Sequence, residues 1–320
     1  MARPLRIQYN GAFYHVTARG NEKKRIYFSN ADYDTFKYYV EKARDKYAFL
    51  LHCYVLMINH YHLVIETPSA NLNSIMHYIN SSYTNYVNRK MNRSGHLLQG
   101  RYKAILIDQD SYLLELSRYI HLNPVRAGMV QRPEDYPHSS YGSYIGKSKE
   151  NSVDRDCILR MISGNEKNAA QQYKCFVEKA VGKKLDNPLK RTFGGVIAGG
   201  EMFVKKALGH VAHADVSKSE ISNRRELKSL CTPEEIIGKL CLIVNVDKES
   251  IVNGNTRDCR SIAIFLMKKY TGLSNCEIGK VFGGLSYSGV SKVYRRFKEK
   301  IEKDSSLRRK VMAIMSNVKG

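Results

Sequence analysis

The sequence predicts an α+β unit built on an antiparallel sheet, followed by an all-α unit that ends in a helix-turn-helix. Three observations carry that reading. Residues 12–122 alternate strand-period and helix-period segments in the order strand, helix, strand, strand, helix, strand, helix. Residues 232–304 hold only helix-period segments, several with their own start or stop signals. Between the two, the stretch from 147 to 230 is polar or glycine-rich and weakly patterned. The units so drawn are 1–146, a connecting region 147–230 that is partly helical and partly flexible, and 231–320.

The elements follow in order. AFYHVTA (12–18) alternates as a half-buried strand does. NADYDTFKYYVEKARDKY (30–47) sets Tyr33, Phe36, Tyr39 and Val40 on one helical face, with Asn30 or Asp32 as its N-cap. AFLLHCYVLM (48–57) and HYHLVIE (60–66) form a hairpin that turns at Ile58 and Asn59. Over 71–91, Leu72, Ile75, Met76, Ile79, Tyr83, Tyr86 and Val87 keep helical spacing. YKAILID (102–108) is a strand. SYLLELSRYIHL (111–122) is a helix stopped by Pro124, because proline disfavours helical geometry at the residue before it. This order places the helices on one sheet face.

GKSKENS (146–152) is a polar break, GGVIAGGEMF (194–203) is glycine-rich, and 210–229 reads as a polar linker. TPEEIIGKLCLIV (232–244) then starts with Thr232 as N-cap, Pro233 in the first position and acids in the first turn. DCRSIAIFLMKKYTG (258–272), SNCEIGKVF (274–282) and SYSGVSKVYRRFKEKIEKD (286–304) are three further helices.

Charge narrows the partner. The 320 residues carry 52 Lys+Arg against 30 Asp+Glu, a net +22. Such an excess points to a polyanion, since Lys and Arg release the counterions condensed on a phosphate backbone. No basic amphipathic helix with a Trp- or Phe-rich opposite face is present, which favours nucleic acid over a membrane surface. No apolar run approaches the ~20 residues that span a bilayer. The N-terminal stretch MARPLRIQYNGAFYHV lacks a signal peptide's apolar core, so a cytoplasmic location is expected. Seven scattered cysteines without a C-x-x-C pair argue against a disulfide framework or a zinc ribbon.

Two motifs carry chemistry in the first unit. Strand alternation puts His60 and His62 of INHYHLVIE on one face, about 7 Å apart along the backbone. Two neutral imidazoles so placed can share a divalent cation; they can equally be satisfied core histidines. In SRYIHLNPVRAG (117–128), Tyr119 and Asn123 are four residues apart and share a helix face. The phenol can attack a metal-polarised phosphate, and the amide oxygen can be a third ligand to Mg²⁺ or Mn²⁺. A core tyrosine and a C-capping asparagine are the plain alternatives.

In the second unit, helix 274–282, the Gly283-Gly284 turn and the helix from 286 have a helix-turn-helix layout. Ile278, Val281 and Phe282 form the core of the first helix, and Val290, Val293, Tyr294 and Phe297 the inner stripe of the second. Lys292, Arg295, Arg296 and Lys298 face outward. Ser286, Tyr287 and Ser288 stand where short side chains approach base edges.

The segment RSIAIFLMKKYTGLSNCEIGKVFGG (260–284), with Val290 beyond it, resembles domain IV of the bacterial replication initiator DnaA. That family continues after its Gly-Gly with an Arg and an Asp-His-Thr-Thr run that reads the origin box. Here Leu285, Ser286, Tyr287, Ser288 and Gly289 stand instead. The resemblance implies the fold and binding to duplex DNA, without the initiator's sequence preference. A trihelical bundle that binds protein is the competing reading.

VLMINHYHLVIETP (55–68), YTNYVNRK (83–90), SGHLLQGRYKAILID (94–108), YIHLNPVRAGMV (119–130) and DYPHSSYGSY (135–144) occur in that order. Over about residues 5–145 they resemble the single-tyrosine HUH transposases, in the IS200-like and REP-associated branch. The resemblance implies an HUH fold, which is ferredoxin-like and RRM-like. It implies that His60, His62 and Asn123 hold a divalent metal, Mg²⁺ or Mn²⁺, and that Tyr119 is the nucleophile. Tyr119 then cleaves single-stranded DNA, leaving a 5′-phosphotyrosine and a free 3′-hydroxyl, and strand joining reverses the step without ATP. The family's third ligand is often Gln, and Asn123 is shorter.

Family substrates are imperfect hairpins with flanking single strands, for which Arg19, Asn21, Arg89, Arg93, Arg101 and Lys103 are candidate contacts. Tyr102 and Tyr83 are rival nucleophiles or stacking residues, Tyr83 lying on the apolar stripe. The resemblance further implies a bacterial, nucleoid-associated protein, with a homodimer left open because relatives include dimers and monomers. A non-catalytic, sequence-specific DNA-binding regulator derived from a transposase is the alternative function.

Overall fold

A computed structural model describes residues 4–148, 150, 152–163, 166–183, 186–190, 192–211, 232–254, 257–271 and 273–319. It divides into two compact units, Arg6–His210 and a second comprising Met1–Leu5 with Val211–Gly320. No helix among the described residues is long and apolar enough to cross a membrane.

The first unit is built on β1 (Ala12–Arg19), β2 (Leu50–Met57), β3 (His60–Thr67), β4 (Lys103–Ile107) and a short β5 (Ile197–Ala198), in the order β2-β3-β1-β4-β5. The four long strands pair antiparallel, as expected, and β5 joins β4 in parallel. The sheet is therefore mixed. Two residues of strand inside a glycine-rich stretch leave no periodicity from which β5 could be read.

Helices α1 (Asn30–Tyr47) and α2 (Leu72–Lys90) cover one sheet face. Tyr61 of β3 fixes which face: its ring lies 5.0 Å from that of Phe36, and its hydroxyl donates to Asn80 Oδ1 at 2.7 Å. Ser29, rather than Asn30 or Asp32, caps α1. The Asp32 carboxylate accepts the backbone N–H groups of Phe28 and Ser29, both at 2.8 Å, and also pairs with Tyr86 and Lys90 of α2.

Helix α3 (Gln109–His121) packs along β2, and α4 (Asn123–Arg126) follows after one residue. Pro124 ends α3 as expected but also opens α4, where its missing N–H costs nothing in the first turn. Beyond a single turn, α5 (Tyr141–Tyr144), come α6 (Asp156–Ile162), α7 (Glu166–Glu178) and α8 (Glu201–Gly209). These lie in the region expected to be a connector, yet they belong to the first unit, which runs to His210 and not to residue 146. The linker expected at 210–229 falls, apart from its first two residues, outside the described residues.

The reason α7 belongs to the core is a buried polar knot. His121 at the end of α3 contacts Tyr173 Oη of α7 through Nδ1 at 2.7 Å and Ser140 Oγ through Nε2 at 2.8 Å. Tyr173 in turn donates to Ser117 Oγ at 2.9 Å. Burial holds His121 neutral, with its pKa lowered to about 3, and does the same to His15 on β1. Both histidines take up a proton in the unfolded chain near their ordinary pKa of 6.5, but resist it when folded. Stability should therefore be full above about pH 6.5 and fall by roughly 1 kcal/mol per pH unit per histidine as the pH drops toward 3. Urea unfolding at a series of pH values checks this; a midpoint unchanged between pH 7 and pH 4 would contradict it.

The second unit is helical throughout: α9 (Pro233–Val244), α10 (Lys248–Asn253), α11 (Arg257–Tyr270), α12 (Asn275–Val281), α13 (Tyr287–Lys303) and α14 (Ser305–Lys319). Thr232 and Ser274 cap α9 and α12 in capping boxes with Glu235 and Glu277. Ile278, Phe282, Val290 and Phe297 meet Ile262, Leu266 and Tyr270 of α11 in one core, and Val293, Tyr294 and Val281 pack against it.

Gly279 decides the turn. Its carbonyl accepts the N–H groups of Phe282, Gly284 and Leu285, and a Cβ on it would lie 2.0 Å from the Leu285 carbonyl oxygen. Gly279→Ala should cost about 2–3 kcal/mol of stability, measured by thermal or urea unfolding. A variant that melts like the parent would show that this close approach is dispensable.

Candidate active site and nucleic-acid surface

Strand register assembles the site. On the sheet face away from Tyr61, Arg19 lies opposite His60, and Thr17 lies between His62 on β3 and Lys103 on β4. These five residues and Arg101 line a cavity of about 730 Å³ that carries no carboxylate on its walls. Arg19 is held at its mouth by donation from Nε to Gln99 Oε1 at 2.7 Å. An alternating strand pair thus puts two imidazoles and several cations on one wall, a surface matched to a phosphodiester.

The hydrogen bonds of the histidines decide what they can do. His60 donates from Nδ1 to Asn59 Oδ1 at 2.7 Å, which leaves the Nε2 lone pair available. His62 Nδ1 faces His15 Nε2 at 2.8 Å, with the two rings stacked 5.1 Å apart and 13° from parallel. His15 is buried, and its Nδ1 has no partner among the described residues. If His62 donates from Nδ1 to His15, the Nε2 of His62 also keeps a free lone pair.

Electrostatics keep both rings neutral. Burial lowers the pKa of His60, and Arg19 adds to the effect. Burial lowers that of His62 further, with contributions from His15, His60 and Arg126. Neutral imidazole is the form that binds a metal.

Tyr119 and Asn123 form a second cluster and do not line the histidine cavity. Arg126 joins them: its guanidinium lies 4.4 Å from the centre of the Tyr119 ring, and its Nη1 is 3.5 Å from Asn123 Oδ1. The same arginine's charge also contributes to lowering the pKa of His62. Asn123 Nδ2 is buried without a hydrogen-bond partner among the described residues. The two Nε2 atoms can ligate one divalent cation, whereas the unpartnered Asn123 atom is an amide nitrogen, a hydrogen donor that binds no cation, and Asn123 Oδ1 faces Arg126 outside the histidine cavity. Among the described residues, no group of three or more His, Cys, Asp or Glu is arranged for a metal.

The remaining candidates separate. Arg19, Arg101 and Lys103 line the histidine cavity, whereas Asn21, Arg89 and Arg93 are exposed and do not. Tyr83 is a core residue whose hydroxyl donates to the Ile26 carbonyl at 2.7 Å. Tyr102 donates to Asn73 Oδ1 at 2.7 Å and lies under the Arg6 guanidinium. In the second unit, Lys292, Arg295 and Arg296 are exposed on α13, and Tyr287 is 62% exposed at its start. Ser286 is the N-cap of that helix, its Oγ accepting the Gly289 N–H at 3.1 Å, and Ser288 Oγ lies 3.2 Å from it. The Ser286 hydroxyl is thereby engaged in holding the helix start.

Sequence reasoning missed His15 and Arg126. The alternation of AFYHVTAR does put His15 on the face of Thr17 and Arg19, but only the β1–β3 register brings it to His62. Arg126 stands in the quoted NPVRAG motif, and its spacing from Tyr119 spans the break between α3 and α4.

Comparison with known proteins places this geometry in context. Residues 8–123 match the family model described as "Transposase IS200 like". The chain is 25% identical over 143 residues to a protein of Haemophilus influenzae assigned as a REP-associated tyrosine transposase, covering 41% of this chain and 80% of that one. It is 31% identical over 136 residues to the chromosomal replication initiator protein DnaA of Roseiflexus castenholzii. That match covers 41% of this chain but only 27% of the initiator's length. A solved REP-associated tyrosine transposase bound to a REP hairpin aligns with a TM-score of 0.41 and 17% identity, over 48% of this chain and 98% of that one.

Proposed function

We propose that the chain, whose residues 8–123 match the model described as "Transposase IS200 like", is a metal-dependent transposase that cleaves and rejoins single-stranded DNA. The observation that carries this reading is the cavity in which His60 and His62 sit with their Nδ1 atoms engaged, among Arg19, Arg101 and Lys103. His60, His62 and Asn123 would hold a divalent cation, Mg²⁺ or Mn²⁺. When bound, that cation supplies Lewis-acid polarisation of a phosphodiester.

The chain's own groups do the rest. Arg19, Arg101 and Lys103 bind the phosphate and its neighbours, and Arg126 holds the Tyr119 ring. The Tyr119 oxygen attacks phosphorus, losing its proton as the new P–O bond forms. The bond to the 3′-oxygen breaks, and that oxygen leaves as a hydroxyl after taking up a proton. A 5′-phosphotyrosine results, and attack by a 3′-hydroxyl on it restores a phosphodiester. One ester replaces another at each step, so no ATP is required. The DNA substrate proposed is a hairpin with a single-stranded flank, and the exposed basic face of α13 with Tyr287 is proposed to bind duplex DNA.

A second reading, a non-catalytic regulator that retains only DNA binding, is favoured by one observation: Tyr119 and Asn123 lie outside the histidine cavity. Incubation with an end-labelled hairpin bearing a single-stranded flank, with and without Mn²⁺, separates the two. A metal-dependent covalent band on a denaturing gel supports the transposase. Hairpin binding without a band supports the regulator.

A further inference from the structure

Tyr119 stands on a helix that is held from behind by chain lying beyond the matched residues 8–123. Residues two apart in an α-helix point about 160° away from each other, so Ser117 and His121 lie on the back of α3 when Tyr119 is on its front. Helix α7 occupies that back. Its Tyr173 is fully buried, as are Ser117 and His121, and the Arg118 guanidinium lies 4.3 Å from the centre of the Phe176 ring. The start of α3 is gripped as well. The Ala198 carbonyl of β5 accepts the Asp108 N–H at 2.8 Å, and Gln109 Nε2 donates to Cys157 Sγ of α6 at 3.2 Å.

The hydrogen bonds between α3 and α7 run in one direction. Tyr173 donates its single proton to Ser117 Oγ at 2.9 Å, so its oxygen accepts from His121 Nδ1 at 2.7 Å. His121 Nε2 then accepts from Ser140 Oγ at 2.8 Å, and Ser117 passes its own proton to the Leu114 carbonyl at 2.7 Å. Apolar packing by Leu113, Leu116 and Ile120 holds α3 to the core but tolerates a small rotation about the helix axis. Directional bonds in a dry interior do not, because rotation leaves buried groups unpaired. The angle matters for chemistry. A rotation of about 10° moves a hydroxyl ~8 Å from the helix axis by more than ~1 Å. A misplacement of about 1 Å can cost on the order of 10²-fold in rate.

We propose that α7 is a brace that sets the rotation of α3, and that Tyr173 is a positioning residue for Tyr119. Tyr173 touches no reacting atom; it acts through Ser117 and His121. The role of Tyr119 as nucleophile rests on the strand-cleavage reading above, whereas the bracing of α3 does not.

The test compares the full-length parent with Tyr173→Phe, which keeps the buried ring and removes its oxygen. Three quantities are read at a temperature where both proteins are folded. Adduct formation in a single turnover, at saturating hairpin and Mn²⁺, should be at least about tenfold slower in the variant. Hairpin affinity by anisotropy should be unchanged. Hydrogen exchange followed by mass spectrometry should be faster in peptides from α3 and the same in peptides from α1 and α2. A tyrosine that merely stabilised the fold would lower the melting temperature, leave the single-turnover rate alone and speed exchange everywhere. An unchanged rate in the folded variant therefore overturns the proposal, as does a loss confined to hairpin affinity or a uniform rise in exchange. If Tyr173→Phe does not fold, Phe176→Leu, which takes the ring from beneath Arg118, carries the same comparison. A parent that forms no covalent band sinks the cleavage reading. The exchange pattern alone then decides the brace, which stands if the acceleration is confined to α3 and falls if it is not.

Discussion

Tyr119→Phe should form no covalent protein–DNA adduct while binding the hairpin substrate as tightly as the parent. The substitution removes one oxygen. It keeps the ring beneath Arg126, whose guanidinium lies 4.4 Å from the ring centre, so the local packing survives. Tyr119 is half-buried on α3, where Leu113, Leu116 and Ile120 hold the helix to the core, and none of those contacts is touched. Without a nucleophilic oxygen the cleavage rate should drop by a factor on the order of 10⁴ or more. Denaturing gels and intact-protein mass spectrometry read the adduct directly, and anisotropy reads binding. An adduct that persists in the Phe variant would move the nucleophile elsewhere, with Tyr102 the first to examine because it lies between Arg101 and Lys103 of the histidine cavity.

His15→Phe should weaken Mn²⁺ binding by about 10- to 100-fold without unfolding the protein. Phenylalanine can keep the stack on His62, in which the rings now lie 5.1 Å apart, but offers no acceptor for the His62 Nδ1 proton. His62 is then free to carry its proton on Nε2, the atom that would face the metal, and that tautomer cannot ligate. His15→Gln, which can present an amide oxygen to Nδ1, should recover part of the affinity. Electron paramagnetic resonance of free Mn²⁺ during titration measures this without reference to catalysis. Equal affinity in parent, Phe and Gln forms would reduce His15 to a packing residue.

Much of the first unit was readable because its signals are local. The hairpin from β2 to β3, the apolar stripe of α2 and the alternation of β1 all follow from period and turn residues. So does the placement of His60 and His62 on one face with Tyr61 on the other, since the period of a strand is two. In the second unit, proline, threonine and glycine punctuation marked α9, α12 and the turn at Gly283-Gly284, and the basic face of α13 was visible as spacing.

What sequence could not supply is whatever depends on strand order or on chain segments far apart. Residues 147–210 looked like a connector because α6, α7 and β5 are short and partly polar. They join the first unit because Tyr173 completes a hydrogen-bond knot with His121 and Ser117, a contact no local pattern announces.

The sequence by itself determined the two-part architecture, the cationic character and which residues are candidates for a site, because these reside in composition, short-range periodicity and motif order. The tertiary structure decided which of them meet. Register across β1, β3 and β4 brought Arg19, His15 and Lys103 to the histidines, and the turn into α4 set Arg126 against Tyr119 and Asn123. Such proximity is created by pairing across the sheet and by a chain turn, and exists nowhere in the strands taken singly.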